Sequence, residues 1–174
     1  MQDLPKIMNQ KMNIGYCSLP RWLCFSAAKN NEQNASLQEK KTGYGESMYS
    51  MEEDYYKFFR KVLRESGILI GQKERDEAIT SAVGIPSTPI IILSPQSALT
   101  SSEMKSHFSG FIEMKSNAIL YLDGMNIHLR DVVIDGTLLI HTLPNQTTIL
   151  EKKLIHNKGW KFISSSTYLG NTCK

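Results

Sequence analysis

The sequence has few cysteines and no long apolar run, and each of these absences excludes a class of protein. The three cysteines of the 174 residues are Cys17, Cys24 and Cys173. An odd number without CxxC spacing argues against a disulfide framework or a zinc site, and it fits a reducing compartment. No window approaches the ~18 apolar residues of a membrane span. The first residues carry no apolar secretion signal, so we expect a cytoplasmic protein that is neither secreted nor inserted in a membrane.

Concentrated charge is also missing. The 20 basic and 17 acidic residues are interspersed and leave a net charge of only +3, so no nucleic-acid partner is expected. Hydrophobic residues make up 41% of the chain. That content is enough for a globular core and argues against global disorder.

Self-contained catalytic motifs are absent as well. The sequence contains no P-loop, GxGxxG, GxSxG or HExxH pattern. The four histidines have no metal-ligand spacing, and we interpret each as a surface or strand residue: His107, His128, His141 and His156. Asp123 and Asp135 each precede a glycine, which is ordinary turn chemistry rather than a catalytic carboxylate pair.

The first third of the chain combines short apolar runs with a polar stretch. Residues 14–17 and 22–25 are predicted as short strands separated by Pro20. Residues 30–45 contain almost nothing apolar and are predicted as a solvated linker or surface loop, with a domain boundary.

A helix is predicted over residues 47–66. Ser47 can cap its first turn, and Gly67 stands where a C-terminal cap belongs. Apolar residues recur at intervals of three and four, while acidic residues come early and basic residues late. Its stripe of methionine and aromatic residues is typical of core packing.

From residue 86 onward the pattern predicts short strands. They are expected at 90–93, 111–114, 118–122, 127–129, 132–134, 138–141, 148–150 and 153–155, with one short helix after Ser101. Asp123-Gly124 and Asp135-Gly136 are 12 residues apart and each follows an apolar run. This regular spacing favours a β-solenoid whose coils stack on one another, and a β-sandwich stays open as the alternative.

One polar residue stands where chemistry could occur. Lys29 follows a strand-like run and precedes a polar stretch, a place from which a side chain can project into a cleft. Taken alone, such a lysine is usually a solvated charge.

Four stretches of the sequence resemble, in order and at matching intervals, the C-terminal third of UDP-sugar pyrophosphorylases: residues 1–6, 22–31, 135–140 and 155–160. The resemblance covers nearly the whole chain. It implies a parent enzyme related to UDP-glucose and UDP-N-acetylglucosamine pyrophosphorylases, which joins UTP to a sugar 1-phosphate and releases pyrophosphate. Which sugar is used stays open.

The resemblance also implies an α+β fold with three parts. Residues 1–31 would be the C-terminal remnant of an α/β nucleotidyltransferase domain. Residues 32–85 would form a polar linker and connecting helix, and residues 86–174 a left-handed β-helix. The family's Gly-rich loop, uridine-reading residues and Mg²⁺ ligands would lie upstream, so we expect the chain to be a truncated piece that is inactive alone.

By the same resemblance Lys29 is the lysine that reaches the nucleotide and sugar phosphates, with Asn30 carried over only as its neighbour. A positioned ammonium group lowers the cost of charge that develops on phosphate oxygens during an in-line displacement. Lys29 is therefore the one candidate catalytic residue of this chain.

Two other functions are compatible with the sequence. The chain could act as a non-catalytic β-helix module for interaction or oligomerisation. A hexapeptide-repeat acyltransferase would also use a left-handed β-helix, with His128 or His141 as the candidate catalytic histidine, but it would need more coils than fit in this chain. Residues 12–28, if taken from a larger sheet, are predicted to be disordered or to pair with another copy of the chain.

Overall fold

The computed structural model describes residues 15–71, 89–98, 100–115 and 117–161. This part of the chain is a mixture of helices and parallel strands, which confirms the predicted α+β class. The helices are α1 (Arg21–Cys24), α2 (Glu32–Thr42), α3 (Met48–Glu65) and α4 (Ser101–Ser106). The strands are β1 (Leu69–Gly71), β2 (Ile90–Leu93), β3 (Phe108–Met114), β4 (Ile119–Asp123), β5 (Ile127–Asp135), β6 (Thr137–His141), β7 (Thr148–Glu151) and β8 (Leu154–His156). No helix in these ranges is both long and apolar enough to cross a membrane.

Helix α3 begins and ends as its sequence predicts. The Ser47 hydroxyl accepts a hydrogen bond from the Ser50 amide at 3.1 Å, and the Ser50 hydroxyl accepts one from the Ser47 amide at 2.8 Å. These reciprocal bonds satisfy amides that a helix leaves without partners at its start. Gly67, with φ +71°, follows the last turn. The buried face of α3 packs against β1 and β2.

Two expectations for the first third of the chain are wrong. Residues 22–25 are not a strand, since α1 covers Arg21–Cys24 directly after Pro20. An apolar run this short does not distinguish a strand from a helical turn. Residues 15–17 of the other expected strand have no regular secondary structure. Ile14 lies outside the described residues.

The polar stretch over 30–45 is a helix rather than a loop. The Asn31 side chain caps α2 by accepting from the Asn34 amide at 2.9 Å, and Gly43 ends it with φ +80°. Only Ala35 of this helix is buried. Because so little of α2 contacts the core, no apolar periodicity marks it, and its two caps are the local signal that it leaves in the sequence.

The strands form two sheets in which every described pairing is parallel. One has the order β1-β3-β5-β7 with β8 also paired to β5, and the other has the order β2-β4-β6. The chain alternates between them, so each strand lies beside the one formed a full pass earlier. Partners in the later passes are 18 to 21 positions apart, as for Ile119 opposite Thr137 and Ile127 opposite Thr148. This arrangement agrees with the stacked passes of a solenoid and not with the antiparallel strands of a sandwich.

Strand β5 turns a corner at Asp131. Its first half pairs with β7 and its second half with β8, so each pass has three straight segments. Asp131 has φ +51°, and Lys152, between β7 and β8, has φ +49°. Gly110, with φ +73°, occupies the same corner one pass earlier, where β3 changes register. The residue with positive φ at each corner interrupts the alternation of inward and outward side chains. In β5 the spacing between buried apolar residues is therefore one residue longer at the corner than along the strand.

The core lies between the sheets and under α3. Ile127, Leu129, Val132 and Ile134 of β5 are all fully buried. Phe59 and Leu63 of α3 belong to the same cluster, together with strand residues from successive passes. Helix α3 therefore covers the end of the stack next to β1 and β2. The left-handed sense of the winding stays a prediction.

Candidate functional site

Lys29 lies in a short extended segment that is tied to the turn before α3. The amides of Lys29 and Asn30 both donate to the main-chain oxygen of Glu46, at 2.7 and 2.9 Å. The Asn30 side-chain amide donates to the Gly45 oxygen at 2.9 Å. Three hydrogen bonds thus fix the backbone at Lys29, while its side chain stays 64% exposed. The structure presents an anchored lysine with an accessible ammonium group.

Glu46 holds this segment with its side chain as well as its backbone. One carboxylate oxygen lies 2.8 Å from an amino nitrogen of Arg21, and the other lies 4.0 Å from Lys29 Nζ. Glu46 is a non-glycine residue with φ +52°, a conformation that costs about 1 kcal/mol or more. Such strain persists only where surrounding contacts enforce it, and here those contacts converge on Lys29.

Arg21 is a second cation beside Lys29. We call Arg21, Phe25, Lys29, Tyr44 and Glu46 the Lys29 cluster. Its guanidinium carbon lies 4.6 Å from the centroid of the Phe25 ring and 4.3 Å from that of Tyr44. Lys29 Nζ lies 5.5 Å from the same Phe25 ring. Two cations therefore share one aromatic ring and one carboxylate, which leaves a formal net charge of +1 in the cluster.

A cleft of about 590 Å³ opens beside this cluster, where α2 and α3 begin. At the start of α2 it is lined by Asn30, Asn31, Glu32 and Gln33, and at the start of α3 by Ser47, Met48 and Tyr49. The segment is joined to α3 by one further bond, from the Ser26 hydroxyl to Asp54 at 2.7 Å. Asn30, the residue after Lys29, lines this cleft, and Lys29 itself is not among its lining residues.

A second groove of about 460 Å³ lies between α4 and the turns that follow β2 and β6. His107 is its only titratable nitrogen base among the described lining residues, and it is 96% buried. Both ring nitrogens face main-chain oxygens, Nδ1 that of Ile127 at 2.6 Å and Nε2 that of Ser97. Both nitrogens of His107 are therefore engaged by main-chain oxygens and do not face a substrate.

The two Asp-Gly motifs each contact a histidine one pass later. Asp123 Oδ2 lies 2.8 Å from His141 Nδ1, and Asp135 Oδ2 lies 2.8 Å from His156 Nδ1. A hydrogen bond from Ser94, followed by that with His141, holds the pKa of Asp123 below its usual range. These exposed pairs link adjacent passes at their corners. Asp123 and Asp135 are not turn residues but the last residues of β4 and β5, directly before the corner glycines, and their histidine partners were not foreseen.

No cluster of three or more histidine, cysteine or acidic side chains suited to hold a metal ion occurs within the ranges that the structure describes. Glu46 and Asp54, two carboxylates that contact this segment, both already bind protein groups. Described residues of this chain therefore do not form the donor set that Mg²⁺ prefers.

Comparison with known proteins gives a consistent result. No protein-family model matches the chain. UDP-sugar pyrophosphorylase of Arabidopsis thaliana is 26% identical over 160 residues, which cover 92% of this chain and 25% of the relative. The chain is therefore similar to UDP-sugar pyrophosphorylases over nearly all of its length. The proteins of that name from Oryza sativa subsp. indica and subsp. japonica match with the same identity and coverage.

This relationship confirms the family resemblance predicted from the sequence. The chain spans about a quarter of the length of the curated relatives it matches. The assignment of Lys29 as a phosphate contact stays a prediction. Sequence reasoning missed Arg21 and Glu46 because they lie 25 positions apart and no local motif connects them.

Proposed function

We propose that this chain is part of an enzyme that makes a UDP-sugar and pyrophosphate from UTP and a sugar 1-phosphate. The single observation that carries the proposal is its similarity to UDP-sugar pyrophosphorylases over 92% of its length. The 174 residues would form the end of the catalytic domain, a connecting helix and a left-handed β-helix. The three-segment passes and their parallel stacking support that last assignment.

In the proposed reaction a phosphate oxygen of the sugar 1-phosphate attacks the α-phosphorus of UTP. The bond from that phosphorus to the oxygen bridging to the β-phosphate breaks, and pyrophosphate leaves. Negative charge shifts onto phosphate oxygens as the bond breaks. Lys29 would bind one of these oxygens through its exposed ammonium group, and the bonds to Glu46 and Gly45 would hold it in position.

Magnesium would assist this reaction by neutralising phosphate charge. The described residues of this chain do not fit a magnesium site, so its ligands would belong to other parts of the enzyme. The nucleotide-binding residues would be outside this chain too. We therefore propose that the chain is inactive alone.

The test is pyrophosphate release from UTP and a panel of sugar 1-phosphates with magnesium. The 174-residue chain is compared with a protein extended to the length of its relatives, and with that protein carrying Lys29→Gln. We expect activity only in the extended protein, and a fall in kcat of about 10²-fold or more with Lys29→Gln, by analogy with the loss of one charge-stabilising donor. An inactive extended protein would contradict the proposed function.

A second candidate is a non-catalytic interaction or oligomerisation module. It is favoured by the outer faces of the last passes, where Leu139, Ile149 and Leu154 are each more than 60% exposed. These side chains lie on three different strands, β6, β7 and β8, so a partner would have to contact more than one face of the last pass. This role is compatible with the first one for the whole enzyme, and it becomes the preferred function if the extended protein has no activity.

A further inference from the structure

The Lys29 cluster contains a second cation, Arg21, for which the sequence predicted no role. A phosphate group carries more than one negative charge, and protein sites commonly meet it with an arginine beside a lysine. Arg21 and Lys29 lie against the same Phe25 ring and the same Glu46 carboxylate. Their side chains are 32% and 64% exposed, so both cations reach solvent on this surface.

We propose that Arg21 is the second phosphate-binding cation of this site, acting together with Lys29 on one phosphate or pyrophosphate group. This inference rests on the proposed function, since it assigns the same class of ligand to the same site. It goes further by naming a residue and a geometry that neither the sequence nor the relatives supply.

The contacts of Arg21 explain how it could act. A guanidinium group has five N–H donors in a planar fork. Glu46 accepts from one amino nitrogen, and the Phe25 and Tyr44 rings lie close to the guanidinium group. This packing restricts the rotation of a side chain that otherwise loses much entropy on binding. Arg21 Nε is buried without a hydrogen-bond partner among the described residues, so a phosphate would use the donors of the two amino groups.

Glu46 offsets the repulsion between the positive charges of Arg21 and Lys29. Its carboxylate lies between them, and its main-chain oxygen fixes the backbone at Lys29. Asp54 accepts a hydrogen bond from the Ser26 hydroxyl and lines the same small cavity as Arg21 and Glu46. Arg21, Lys29 and Glu46 together carry a formal charge of +1, which favours an anionic ligand.

The test is to titrate the 174-residue chain with inorganic pyrophosphate at low ionic strength. Binding is monitored by the NMR signals of the backbone amides and of the arginine guanidinium groups. We expect saturable shifts at Arg21, Lys29 and Glu46. Arg21→Gln and Lys29→Gln should each weaken binding about tenfold, the size expected for one charge-assisted contact. Arg21→Lys keeps the charge but loses the fork, and it should weaken binding by a smaller factor.

Lys105→Gln is the matched control, because it removes one positive charge from α4, whose packing partner is β3. It should leave the affinity within twofold of the unmodified chain. If Lys29→Gln weakens binding while Arg21→Gln behaves like this control, Arg21 has no role and the proposed function stands. If neither variant differs from the control, the site itself is wrong, including the role of Lys29.

The unmodified chain tests the role of Arg21 without the risk that Arg21→Gln disturbs the fold. The guanidinium signal of Arg21 must move on saturation with pyrophosphate if that group binds the anion. An unmoved signal, or no saturable binding, overturns the inference without any substitution. Thermal unfolding of each variant shows whether the variant is still folded, so that a loss of affinity caused by unfolding can be recognised.

Discussion

The ion pair between Arg60 and Glu53 shows how single residues fix α3 on the strands. The two side chains are 3% and 5% exposed as residues, and the charged atoms are 2.7 Å apart. Arg60 also donates to the Pro89 oxygen at 3.0 Å, just before β2. A buried pair of this kind contributes little net stability, yet removing one partner leaves a charge without compensation.

Glu53→Gln should therefore lower the free energy of unfolding by about 3 kcal/mol, at the lower end of the cost of breaking a buried pair. Urea unfolding measures this loss. Glu65→Gln, on the exposed end of the same helix, is the control and should change it by less than about 0.5 kcal/mol, because its partner Lys61 is 4.0 Å away in solvent. Equal losses of unfolding free energy for the two substitutions would contradict the idea that burial makes the Arg60–Glu53 pair costly to break.

At the scale of secondary structure, the glycines at the turns set the corners of the stacked passes. Gly136 separates β5 from β6 and has φ +129°. A Cβ atom at this position would overlap the side chain and the main-chain oxygen of Asn157. The Asn157 side chain lies there because it bridges the strand above: it accepts from the Thr137 amide and donates to the Thr137 oxygen, both at 2.8 Å.

Gly136→Ala should lower the free energy of unfolding by about 2 to 3 kcal/mol, since it adds a steric clash to a conformation that is already unfavourable for alanine. Gly43→Ala is the matched control. Gly43 also has positive φ, at +80°, but its Cβ would meet open space, so only about 1 kcal/mol is expected. Thermal or urea unfolding of both variants separates clash from backbone strain, and indistinguishable losses would contradict the close packing at Gly136.

The contrast between α3 and α2 explains how much of the fold was predictable. Helix α3 has a buried face, so its apolar periodicity and its cap at Ser47 agree. Strands β4 and β5 alternate between more and less buried residues, and each strand from β2 onward was placed within a few positions. Helix α2 buries only Ala35, so hydrophobic patterning contains no signal for it. Strand β1 was missed because its three residues are too few to establish a period.

The candidate site was predictable only where it is local in the sequence. Lys29 follows from its place in the chain and from the family resemblance. Arg21, Tyr44 and Glu46 join it through a tertiary contact across helix α2, and no spacing rule brings them together. The polar composition that made residues 30–45 resemble a linker also concealed that their two ends meet at Lys29.

At the scale of the whole molecule, the segment before Ser26 presents apolar side chains to solvent. Leu19 is 59% exposed and Leu23 is 45% exposed. Disorder or self-pairing of residues 12–28 was expected from the sequence, and it stays a prediction for the chain in solution. Exposed apolar groups next to each other favour association with another surface.

We expect the mass of the 174-residue chain, measured by sedimentation, to rise with concentration, because a second copy would cover this segment. Leu23→Asp should shift the chain toward the monomer. Leu37→Asp, on the exposed side of α2, is the control, since Leu37 is similarly exposed at 58% but lies on a helix outside the segment. A chain that stays monomeric at all concentrations would contradict the pairing of residues 12–28.

The parallel stacking of the strands has a consequence for how this part of the chain could change in length. Each pass is hydrogen-bonded only to the pass before it and the pass after it, as a row of similar units in which only neighbours interact. An added or deleted unit of one full pass would keep the corner at Asp131 and Lys152 aligned and would move the far end by one strand spacing, about 4.8 Å. An insertion of any other length must leave as a loop at a corner, as helix α4 does between β2 and β3. The distance between the Lys29 cluster and whatever binds the far end could therefore evolve only in discrete steps.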